Sequence, residues 1–157
     1  MNGKNKIIHV FCCSRNREET INILNAVCLL ASAQHRQGLI TELWYVCEAG
    51  RPFPIDVPEG LKIRTFRHRR GDLDKDLKDA VLAEMEPVVF NLHGRFIYTN
   101  FLLSEIFGLL DVSFVFTPHG TYGPDGKQLE RWRKKLYFKL IEKKIIRRSG
   151  NMAHDHF

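Results

Sequence analysis

Two histidine–glycine pairs stand directly behind apolar runs in this sequence. Val88-Val89-Phe90-Asn91-Leu92 leads into His93-Gly94-Arg95, and the run from Val112 to Phe116 leads into Thr117-Pro118-His119-Gly120-Thr121. A glycine behind a strand lets the backbone turn sharply and approach a ligand closely. An imidazole there can donate, accept or titrate near neutral pH. One such pair reads as a turn; two at adjacent strand ends of one sheet would converge on a single crevice. His119 is therefore a candidate catalytic residue, and His93, Gly94, Thr117 and Gly120 are candidate ligand-binding residues. A third stretch, Ser14-Arg15-Asn16-Arg17, follows the apolar run Ile7–Cys13 and opens a helix. Backbone N–H groups and the helix dipole favour an anion at such a place, and Arg15 and Arg17 add charge; the same residues also read as a solvated turn with an N-cap. No nucleophile elbow, P-loop or paired-acid motif is present. His154-Asp155-His156 is the only close cluster of metal-ligand types, and in a polar tail it is read as incidental, so no metal site is expected.

The elements that must position these residues follow from periodicity. Ile7–Cys13 is apolar apart from His9 and reads as a strand buried on both faces. Asn16 followed by Glu19 resembles a capping box. Ile21, Leu24, Cys28, Ala31 and His35 then recur at helical spacing, and Gly38 is a plausible stop. Leu39–Cys47 predicts the second strand, and the proline- and glycine-bearing segment Glu48–Gly60 a loop. Leu61–Arg67 alternates like a strand with one wet face. Asp72 is placed to cap a helix burying Leu73, Leu77, Ala80, Val81 and Met85, which Pro87 ends. Val88–His93 is a buried strand, Phe96–Leu110 an apolar helix and Val112–Phe116 a short strand, with a basic helix after the turn Tyr122–Gly126. Strands alternating with helices predict an α/β fold, a Rossmann-like, mostly parallel sheet with helices on both faces.

The chain has 157 residues and a formal net charge of +6, the size of one domain. Its basic character is local: Lys127–Ser149 carries ten Lys/Arg against two acids, a net +8, and the remainder is −2. With no RNA- or DNA-reading motif beside it, one basic helix does not make a nucleic-acid binder. Leu129, Trp132, Leu136 and Leu140 stripe that helix. Trp132, Arg133, Lys134, Lys135 and Lys139 are accordingly candidate contacts to an anionic membrane surface, alongside the plain reading of a packed helix with a basic outer face. Cys12, Cys13, Cys28 and Cys47 form no C-x-x-C pair and read as small buried thiols of a reducing compartment. No secretory signal or membrane-spanning run is visible. A cytoplasmic protein is expected, peripheral on the inner face of the cell membrane if a membrane is involved. After Gly150 a doubly wound fold would begin another strand, whereas Asn151–Phe157 is polar. The expectation is one domain over residues 1–150, an unstructured tail over 151–157 and a truncated chain.

Thr117-Pro118-His119-Gly120 with Lys134-Lys135 in the following helix resembles a family 4 glycosyltransferase of the GT-B fold, as do the strand ending Leu92-His93-Gly94 and the helix ending Ile145-Ile146-Arg147-Arg148. The resemblance runs from Lys6 to about Ser149 and implies the N-terminal, acceptor-side half of a retaining enzyme that moves a sugar from a nucleotide-sugar to a polysaccharide or lipid-linked acceptor, as in capsule or lipopolysaccharide synthesis. It implies that His119 hydrogen-bonds hydroxyls of the transferred sugar and helps orient the leaving diphosphate, with His93 and Gly94 lining the same cleft. It implies a metal-independent reaction without a resident cofactor, the nucleotide-sugar being a co-substrate. The sequence departs from the family in two places. Cys13-Ser14-Arg15-Asn16 stands where glycines are common, and the chain is expected to lack the C-terminal donor-binding domain with its E-x7-E carboxylates. The chain is thus expected to be inactive alone. The alternative reading is a non-enzymatic subunit that recruits a donor-binding partner to the membrane.

Overall fold

The computed structural model describes residues 5–13, 16–49, 51–84, 87–95, 97–119, 136 and 138–154. Five strands, β1 (Lys6–Cys12), β2 (Ile40–Cys47), β3 (Lys62–Arg67), β4 (Val88–His93) and β5 (Phe114–Thr117), form one sheet in the order β3-β2-β1-β4-β5. Every pairing is parallel. The helices are α1 (Arg17–Arg36), α2 (Lys75–Leu82), α3 (Tyr98–Leu110) and α4 (Lys143–His154), the last preceded by a π-helical turn, Phe138–Glu142.

The sheet is covered on both faces, and side-chain alternation along each strand decides what covers which. Ile8, Val10, Trp44, Val46, Phe66, Phe90, Leu92 and Phe114 face α2, α3 and α4, meeting Leu77, Ala80, Val81, Leu103, Phe107 and Ile145. Trp44 is fully buried there, edge-on to Phe90 at a centroid distance of 5.4 Å, and Phe90 stacks on Phe107 at 4.5 Å. Each of these aliphatic side chains removed from water stabilises the fold by about 1.5–3 kcal/mol. On the opposite face Phe11, Leu43, Tyr45 and Cys47 pack against Leu24, Val27, Cys28 and Ala31 of α1.

The described elements follow the order the sequence predicts, with three local corrections. In α1 the buried stripe is Thr20, Leu24, Val27, Cys28 and Ala31, so the phase drawn through Ile21 and His35 is slightly rotated and His35 is exposed. The cap of α2 is Asp74, whose carboxylate accepts from the Asp76 N–H. Asp72 instead accepts from the Leu73 N–H and from Lys78, because the chain turns for two more residues before helical dihedrals begin. Finally, α4 runs on to His154, so residues 151–154 are helical and not an unstructured tail. The Met85 position of the predicted α2 face lies outside the described residues.

Candidate functional site

The connections leaving β1 and β4 run in opposite directions along the sheet, β1 towards β2 and β4 towards β5. In open α/β sheets such a reversal marks the place, beyond the carboxyl ends of the two strands, where a crevice takes the ligand. His93 is the last residue of β4, paired in register with Phe11 of β1 and Thr117 of β5. Gly94 then turns at φ 94°, and its N–H donates to the Thr117 carbonyl at 3.0 Å. The buried Asn100 of α3 clamps the turn, its Nδ2 donating to the carbonyls of His93 and Gly94 at 3.0 and 3.2 Å. A Cβ on Gly94 would stand 2.6 Å from Ile97 Cδ1, so the tight turn requires glycine.

The two predicted histidines meet. His93 Nδ1 lies 2.8 Å from His119 Nε2, with the rings stacked at a centroid distance of 5.1 Å. The contact continues inward to a residue that the sequence had offered only as the polar member of a buried strand. His93 Nε2 lies 2.8 Å from His9 Nδ1, again with stacked rings, and His9 Nε2 lies 2.7 Å from Gln34 Oε1 of α1. His9, His93 and Thr117 share one sheet face because register partners and i+2 neighbours do. Asn91, between them, accepts from Thr117 Oγ1 at 2.7 Å. His9 and His93 are wholly buried, while His119 is half-buried at the mouth.

Burial holds all three rings neutral. It pushes His93 down to about 3, with the His9 and His119 rings adding to the effect. It lowers His9 against the opposing pull of the Gln34 bond, and it lowers His119. At neutral pH the row is therefore a set of dipolar donors and acceptors, not a cationic cluster.

At the first turn of α1, Asn16 Oδ1 accepts from the N–H groups of Glu18 and Glu19 at 3.0 and 3.2 Å. The cap thus occupies donors that an anion would use, and two carboxylates stand beside it. Arg17 is exposed. Arg15, Gly120, Trp132, Arg133, Lys134 and Lys135 lie outside the described residues, whereas Lys139 is exposed on the π-helical turn. Arg95, behind Gly94, reaches the buried Glu142 at 3.3 Å and so ties the crevice loop to that turn. Among the described residues no group of three or more His, Cys, Asp or Glu is arranged to hold a metal ion, and no helix is long and apolar enough to cross a membrane. Sequence reasoning missed Gln34, although a signal existed: it continues the stripe Thr20, Leu24, Val27, Ala31 at alternating steps of four and three. Comparison with protein-family models, curated proteins and solved structures finds no match to this chain.

Proposed function

We propose that this domain is the acceptor-side half of a retaining glycosyltransferase, holding a sugar or lipid-linked saccharide at His119, with the wholly buried His93 behind it, while a separate domain presents the nucleotide-sugar. The observation that carries this reading is the stacked His93–His119 pair at the switch point of an all-parallel sheet. Two features support a hydroxyl-rich ligand over a phosphate. The imidazoles are kept neutral, and the α1 N-terminus already carries its own acceptor. The lone pair of a neutral imidazole accepts from a hydroxyl, whereas phosphate recognition calls for cations or free N–H groups. On this reading His119 contacts the saccharide and His93 supports it from behind. Transfer would need the donor domain, so the chain alone is expected to bind and not to turn over.

The test is a ¹H–¹⁵N titration of the chain with a panel of prenyl-diphosphate-linked saccharides and, separately, of nucleotide-sugars. Shifts centred on His93, Gly94 and His119 with the saccharides alone are expected. Nucleotide-sugar binding at those residues, or no response to either panel, would overturn the reading.

A second reading, a membrane-recruiting subunit, is favoured by one observation. Leu140 and Ile146 are 52% and 44% exposed beside the exposed Lys139, Lys143, Lys144 and Arg147, a composition suited to anionic lipid. Co-sedimentation with phosphatidylglycerol vesicles but not with phosphatidylcholine vesicles is its expected signature.

A further inference from the structure

The row Gln34–His9–His93–His119 has a direction. Each link between neutral imidazoles needs one N–H and one lone pair, so the choice made at one end is passed to the other. Gln34 sets that choice. Its Oε1, the atom facing His9 Nε2 at 2.7 Å, can only accept. His9 therefore carries its proton on Nε2 and offers the Nδ1 lone pair to His93. His93 donates from Nε2 and offers Nδ1 to His119, which donates from Nε2 in turn. The Nδ1 of His119 is left as a lone pair, and among the described residues it has no partner.

From this geometry we infer that Gln34 and His9 are positioning residues that commit His119 to a single tautomer, leaving its Nδ1 to accept a hydrogen bond from a saccharide hydroxyl. The tautomer stands on the hydrogen-bond row alone; the identity of the ligand rests on the acceptor-side reading above. The row is over-determined at its centre, since both nitrogens of His9 and both of His93 are engaged. It is adjustable only at its ends, His119 in the crevice and Gln34 in the last turns of α1. A side chain on the far side of β1 thereby decides whether the crevice meets a donor or an acceptor.

The experiment reads the imidazole nitrogens directly, by long-range ¹H–¹⁵N correlation at pH 8 on the wild-type chain, Gln34→Leu and Gln34→Glu. In the wild type all three rings are expected as the Nε2–H form. Glutamate can only accept and should preserve that pattern. Leucine removes the anchor, and His119 should then populate both tautomers. An Nδ1–H form of His119 in the wild type, or an unchanged His119 in Gln34→Leu, would overturn the inference. Should Gln34→Leu fail to fold, the other two spectra decide, because Nδ1–H at His119 in either is incompatible with it. In parallel, binding of a prenyl-diphosphate-linked N-acetylglucosamine should weaken about five-fold in Gln34→Leu, the scale of one neutral hydrogen bond, and recover in Gln34→Glu. Tautomers as expected, with no saccharide bound by the wild type, would uphold the histidine row and remove the acceptor-side reading.

Discussion

His9 Nδ1 and His93 Nε2 are joined at 2.8 Å across 84 residues of sequence, on adjacent parallel strands and wholly out of contact with water. Two buried imidazoles are tolerated there because each nitrogen has a partner: Gln34 closes the row at one end and His119 continues it at the other. What the pair cannot tolerate is charge.

Stability is expected to fall with acidity before the carboxylates titrate. The folded-state affinity of His93 for a proton lies at about 3, below the ordinary ~6.5 of an unfolded chain, and His9 and His119 are lowered too. Protons therefore bind preferentially to the unfolded chain. Stability is full above about pH 6.5 and declines as the pH drops towards 3, each fully shifted histidine contributing up to about 1.4 kcal/mol per pH unit. Urea unfolding at pH 7.5, 6, 5.5 and 5 should show this decline, and His93→Gln should make it shallower. A flat profile down to pH 5 would contradict the neutral row.

Gly94→Ala is expected to destabilise the chain by about 1–3 kcal/mol, the cost of a non-glycine residue held in a sparsely populated region. Gly94 has φ 94°, and the added methyl would meet Ile97. Because the Gly94 N–H also fixes the Thr117 carbonyl, amide shifts should extend to β5. Gly108, whose Cβ would meet open space in the interior of α3, is the control: alanine there should be neutral or stabilising.

Removing the cap of α1 separates fold from site. Asn16→Ala frees the N–H groups of Glu18 and Glu19 and should cost about 1 kcal/mol in thermal or urea unfolding. The tautomer of His119 should be unchanged, since Gln34 sits at the other end of the helix. A larger loss, or a changed His119, would mean that the strand–helix turn is coupled to the crevice.

Thiol labelling should be strongly selective. Burial raises Cys28 and Cys47 and pushes Cys12 up to about 12, so little thiolate exists at pH 8 and what exists is enclosed. Cys13 is half-buried at the end of β1. A disulfide reagent under native conditions should modify Cys13 first, the other three following only on unfolding. Equal rates at all four would show that both faces of the sheet open readily, since Cys12 lies under α2 and α3 and Cys28 and Cys47 under α1.

Much of this arrangement is legible in the sequence because it is written locally. Ile7–Cys13 and Val88–His93 read as buried strands and Leu39–Cys47 as a packed one, and they form β1, β4 and β2, with Val89 of β4 exposed. His93 and His119 announce themselves through the glycines directly after them. His9 does not, because its partner lies on another strand and nothing within β1 separates a bonded core histidine from a ligand. Gln34 is obscured because a helical phase through Ile21 and His35 turns it away from the sheet. Asp72 reads as the cap of α2 because Asp72 and Asp74 offer the same chemistry, and only the backbone path chooses between them.

The depth of the histidine row also bears on how the chain folds. Pairing β1 with β2 brings His9 to Leu43, 34 residues on, but bringing His9 to His93 closes a loop of 84 residues, and long-range parallel pairing is slow because its closure entropy is met before its contacts form. The two rings must reach that closure without their protons. Below pH 6.5 the unfolded chain carries them as imidazolium, so deprotonation stands in front of the central pairing, and refolding should slow with acidity.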